Sequence, residues 1–143
     1  MYTHLLIAVD FSRNTDDLIT TGLGLSKVFD ARLSLAHVVE FAQVDLSNEL
    51  VMPQELELDQ ELLMLAEKRL QELAEKHGLQ DHARYIRQGS TKREILSIAE
   101  QENVDLIVIG SHGRHGIQLL LGSTANAVLH GAPCDVLAVR VRD

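Results

Sequence analysis

The stretch Gly110-Ser111-His112-Gly113-Arg114-His115-Gly116, followed by Gly122-Ser123-Thr124, holds the residue types that phosphate binding needs. Glycine lets the main chain approach an anion closely, loop N–H groups donate to it, and a helix amino end adds positive partial charge. The flanks fit that chemistry. Val104 to Ile109 is an apolar run that reads as a buried strand, and Ala125 to His130 reads as a short helix. A strand feeding a glycine-rich loop that opens onto a helix predicts a nucleotide site. A plain strand-to-helix turn with Ser123 as N-cap is the alternative these residues leave open.

Such a loop works only if other elements hold it. Leu5 to Val9 reads as a first strand, apolar throughout and so covered on both faces. Asp10 to Asp17 supplies turn formers and first-turn acids, and a helix is expected from about Asn14 to Phe29. Arg32 to Val39 predicts a second strand, and about Leu56 to His77 a long helix with Leu62, Ala66, Leu70 and Leu73 on one face, stopped by Gly78. Ala83 to Arg87 predicts a third strand. Thr91-Lys92-Arg93-Glu94 reads as a capping box opening a helix that buries Ile95, Ile98 and Ala99. The last helix ends at Gly131-Ala132-Pro133, and Val136 to Val141 closes the set as a fifth strand. Alternating strands and helices imply a single α/β domain over 1–143, a doubly wound parallel sheet with right-handed crossovers. Residues 40 to 55 fit this alternation least and read as a lid or a surface loop.

Bulk properties narrow the function. A chain of 143 residues, 45% hydrophobic and 24% charged, is expected to be a globular domain with a real core. A net charge of −8, three Phe, two Tyr and no Trp argue against nucleic-acid binding, so positive groups must be concentrated locally to hold an anion. No apolar run is long enough to cross a bilayer, so no membrane role is expected. Met1-Tyr2-Thr3-His4 lacks a secretory pattern, and one cysteine, Cys134, fits a reducing cytoplasm. Cys134 reads as a small buried apolar residue and Met52 and Met64 as gap-fillers. The acidic run Glu55 to Glu61 reads as a solvated helix face. The histidines show no metal-ligand spacing, and His37 reads as a satisfied strand histidine.

Taken in order, several segments resemble the universal stress protein family over essentially the whole length. They are Ile7-Ala8-Val9-Asp10-Phe11-Ser12, Leu35-Ala36-His37-Val38, Asp105 to Gly113, Leu119 to Thr124 and Cys134 to Val139. The resemblance implies a five-stranded parallel sheet in order 3-2-1-4-5, of the adenine nucleotide α-hydrolase-like type. Its switch point lies between the first and fourth strands, where ligands of open α/β sheets bind. Nucleotide-binding members carry a G-x-x-G and, further on, a G-[S/T]. Here Gly110, Gly113 and Gly122-Ser123 match, with eight residues from Arg114 to Leu121 between them, one fewer than in the family pattern.

The same resemblance implies a role for each position. Asp10 accepts from ribose hydroxyls, or else forms only an Asx-turn. Ala8, Val9 and Val38 line an adenine slot, with the Val38 backbone reading the base edge. Gly110 and Gly113 allow close phosphate approach, Ile109 lies beside them in the nucleotide site, and Gly122, Ser123 and Thr124 present N–H and hydroxyl groups. His112 and Arg114 contact phosphates or remain solvated. The expected ligand is ATP, AMP or ADP, with Mg²⁺ at most bridging bound phosphates. The expected protein is a homodimeric stress-response sensor, paired through Val136–Val141, whose 40–55 segment reports occupancy to a protein partner. A slow ATP hydrolase or phosphotransferase is the alternative. The chain has no Walker lysine and no evident catalytic base, which argues against efficient turnover.

Overall fold

The computed structural model describes residues 1–40, 53–111 and 121–140. Within them the elements run β1 (His4–Ala8), α1 (Thr15–Phe29), β2 (Arg32–Val39), α2 (Pro53–Lys76), β3 (Arg84–Gln88), α3 (Thr91–Gln101), β4 (Leu106–Gly110), α4 (Ser123–Gly131) and β5 (Asp135–Val139). All strand pairs are parallel, and the order is β3-β2-β1-β4-β5, as expected. Among the described residues no helix is long and apolar enough to cross a membrane.

The central strands β1 and β4 are apolar at consecutive positions because both sheet faces are covered there. Leu5, Ile7, Leu33, Leu35, Leu106 and Val108 pack with Leu18 and Ile19 of α1 and Leu70 and Ala74 of α2. The alternate positions Leu6, Ala36, Val38, Ile107 and Ile109 pack with Ile95, Ile98 and Ala99 of α3 and Ala125 and Val128 of α4. Period-2 alternation thus assigns neighbouring residues to different layers.

Several element ends differ from expectation for local reasons. Helix α2 begins at Pro53 rather than near Leu56, because proline suits the first turn, where its missing N–H costs nothing. Helix α3 is capped by Ser90, whose side chain accepts from Arg93 N, so Thr91 is the first helical residue and not the cap. Helix α4 is capped by Gly122 without a side-chain hydrogen bond, which corrects the assignment of Ser123 as N-cap. Strand β5 starts at Asp135, and the expected end at Val141 lies outside the described residues. Met64 does not fill a gap: it is 68% exposed. Cys134 is half-buried against the α3/α4 layer, and burial with nearby Asp135 raises its thiol pKa.

At the amino ends of the strands a polar cluster ties the sheet together. The Asp105 carboxylate accepts from Thr3 N and Thr3 Oγ1, both at 2.8 Å, and from His4 N at 3.0 Å. The His4 ring is buried, with Nδ1 3.0 Å from Glu102 O and Nε2 2.7 Å from Ser34 Oγ. Arg32 Nη2 also lies 3.0 Å from Nδ1, so a guanidinium, the imidazole and a main-chain carbonyl meet in this cluster. Burial holds His4 below the ordinary imidazole pKa, and Arg32 adds to that effect.

Candidate functional site

The opposite, carboxyl ends of the strands surround a cleft of about 710 Å³, within the usual range of small-molecule sites. Strand β1 ends into it with Ala8, Val9 and Asp10, and β2 with Val38 and Val39. Strand β4 adds Ile109 and Gly110, and Gly122 to Ala125 begin α4 at its edge. The order β2-β1-β4 places these ends side by side, because the chain leaves β1 for one half of the sheet and returns at β4 to build the other. Of the residues singled out in the sequence, Ala8, Val9, Asp10, Val38, Ile109, Gly110, Gly122, Ser123 and Thr124 line this one cleft. His112, Gly113 and Arg114 lie outside the described residues, as does nearly all of the 40–55 connection.

Local geometry explains how each group is presented. Asp10 Oδ1 accepts from Ser12 N at 3.0 Å, so the Asx-turn is formed. A carboxylate accepts several hydrogen bonds, so this turn leaves it able to take a ligand hydroxyl. Phe11 follows in the left-handed region, at φ 58°. That conformation is strained for a bulky residue, at a cost on the order of 1–3 kcal/mol, and strain of this kind concentrates at binding sites. It places the Phe11 ring in the cleft wall, 4.2 Å between centroids from His37. His37 Nδ1 donates to Val9 O at 2.6 Å and braces the end of β1 against β2.

On the β4 side, Ser111 N donates to Val139 O at 2.8 Å and Gly122 N to Ser111 O at 2.5 Å. These bonds hold the start of α4 against the ends of β4 and β5. The first intrahelical bond of α4 is Asn126 N to Gly122 O at 2.9 Å. The amides of Ser123, Thr124 and Ala125 therefore belong to the unpaired first turn of a helix, and all three residues line the cleft. No acidic side chain occupies that first turn. The helix end thus keeps its positive partial charge for a ligand.

Some of the lining could not be read from the sequence. Phe11, His37, Thr91 and Arg140, together with Leu62, Leu65, Ala66 and Arg69 of α2, also face the cleft. Leu62 looked like a core position by helical spacing; it is 42% exposed and serves the cleft wall instead. The only available signal was the continuation of the apolar stripe of α2 past the part that meets the sheet. Thr91 Oγ1 donates to Glu40 Oε1 at 2.6 Å, joining the end of β2 to the start of α3 at the rim. Among the described residues no group of histidine, cysteine and carboxylate side chains could hold a metal ion.

An open parallel sheet in the order β3-β2-β1-β4-β5, with a cleft at its switch point, defines a doubly wound α/β domain. The chain belongs to the universal stress protein family, whose sequence profile matches residues 1–140. It is 42% identical over 142 residues to universal stress protein A homolog 2 of Coxiella burnetii, covering 99% of this chain and 97% of that protein. Homolog 1 of the same organism is 37% identical over 142 residues, with 99% of each chain covered. The structure of universal stress protein UspA from Lactobacillus plantarum superposes with a TM-score of 0.75 at 25% identity, covering 97% of this chain and 98% of that one.

Proposed function

We propose that this protein binds an adenine nucleotide, ATP, ADP or AMP, and acts as a cytoplasmic, homodimeric regulator in a stress response. The observation that carries this reading is the pairing of opposite chemistries in one cleft. Asp10, an acceptor suited to ribose hydroxyls, stands at the end of β1. The unpaired amides of Ser123, Thr124 and Ala125, suited to phosphate, stand beyond β4. Ala8, Val9, Val38 and Ile109 supply the apolar surface an adenine ring needs. Gly110 leaves room for close approach of the main chain. His112, Gly113 and Arg114 would complete the phosphate contacts, with Mg²⁺ bridging the phosphates where more than one is present.

The experiment is calorimetric titration of the full chain with ATP and AMP, together with the Asp10→Ala variant. The wild type should bind, and the variant should bind about tenfold or more weakly, since hydrogen bonds to a charged group contribute about 1.5–3 kcal/mol. Absence of binding by the wild type, or equal affinity of the two proteins, would remove the assignment.

Strand β5 is an outer strand of the sheet, with Leu137 36% exposed and Leu129 of α4 48% exposed nearby in the chain. An uncovered apolar edge is a pairing surface, which supports dimerisation through Val136–Val141. Leu137→Lys should shift the protein from dimer to monomer in light scattering; a wild type already monomeric at high concentration would contradict the dimer.

A further inference from the structure

We propose that α2 forms the base-side wall of the cleft, with Arg69 as the residue that stacks on a planar aromatic base and so selects nucleosides over simple phosphates. The inference rests on the nucleotide reading above and adds to it a specificity-determining residue.

Leu62, Leu65, Ala66 and Arg69 recur at the spacing of one helical face, and all four line the cleft. Ala66 is buried, whereas Leu62 and Leu65 are 42% and 52% exposed, as expected of an apolar wall facing a space that a ligand fills. One turn further on, the Arg69 guanidinium carbon lies 4.4 Å from the centroid of the Phe11 ring. The guanidinium is thus already stacked on an aromatic face, the arrangement it would make with a base.

Its position decides which part of a ligand it meets. Arg69 and Arg140 are the two arginines lining the cleft among the described residues. Helix α2 packs over β2 and β3, whereas α4 lies beside β5 on the far side of β1 and β4. Arg140, directly after β5, shares the side of the α4 amides. Arg69 stands over Phe11 and near His37, the neighbours of Asp10 and Val38. In the proposed pose those are the ribose and base contacts, so Arg69 faces the base and not the phosphates. Planarity then matters more than charge, and lysine is a poor substitute.

The test is titration of wild type, Arg69→Ala and Arg69→Lys with adenosine, AMP and ATP, each at low and high salt. Arg69→Ala should weaken all three ligands by a similar factor, about tenfold. Arg69→Lys should not restore affinity, and salt should change the factor little. A loss that grows with phosphate number and is rescued by lysine would overturn the proposal, as would unchanged adenosine affinity. Failure of the wild type to bind any of the three would instead defeat the underlying nucleotide reading. Arg69 is exposed on α2, so folding of the variants is not at issue.

Discussion

Gly22→Val is expected to destabilise the fold by about 2–3 kcal/mol, and Gly24→Ala, two residues along the same helix, to stabilise it by about 0.5–1 kcal/mol. The opposite signs follow from where each glycine points. A Cβ on Gly22 would meet Ile7 Cδ1 and come within 2.8 Å of Ile7 Cγ1, closer than real atoms of this kind approach. Ile7 is fully buried on β1, between Leu35 on β2 and Val108 on β4. It has no empty volume into which to move, because protein interiors are packed like crystals. Valine adds two further carbons to that contact. Gly24 has nothing within 4 Å of the corresponding position. There, alanine only removes the backbone entropy that glycine loses on entering a helix. Urea denaturation would show both effects as shifts of midpoint at constant slope. Equal midpoints for Gly22→Val and wild type would mean that α1 can move off β1 without cost.

Asp105→Ala is expected to cost about 2 kcal/mol at pH 7, since it removes three hydrogen bonds to an ionised acceptor in one step. Burial alone would raise the Asp105 pKa. The donors His4 N, Thr3 N and Thr3 Oγ1 outweigh it and hold the carboxyl below its ordinary value. A carboxyl with a depressed folded pKa contributes stability above the unfolded value, near 3.8, and loses it as pH falls through the folded value. His4 acts earlier on the acid side. Its pKa is lowered in the fold, so the unfolded chain takes up a proton near pH 6.5 before the native protein does. Stability should therefore decline first as pH drops below about 6.5 and again below about 4. Asp105→Ala should flatten the second decline and leave the first. A stability profile constant from pH 7 to pH 5 would show that the buried imidazole is not the group controlling the first step.

How much could be read without coordinates differs by element. The strands announced themselves because runs such as Leu5 to Val9 are apolar at every position, a pattern that suits a sheet covered on both faces. The bounds of β2, Arg32–Val39, coincide with those its sequence predicts. Helix starts were less legible. Ser90 and Thr91 are both good caps, and the extended main chain of Ser90 together with the bond from Arg93 N to Ser90 Oγ distinguishes them. The same limit applies to Gly122 and Ser123, where main-chain angles decide which residue is helical.

For the cleft, residue order was sufficient to name the strand ends and the start of α4, because motif position along the chain maps directly onto strand termini in a parallel sheet. The α2 wall was not accessible in that way. Leu62 and Leu70 have the same side chain and belong to one apolar stripe of the helix, yet Leu70 is buried and Leu62 faces the cleft. Local patterning reports which face of a helix is apolar, whereas what that face meets depends on where the sheet ends beneath it. That boundary, like the seat of Arg69 on Phe11, exists only once elements distant in the chain have packed together.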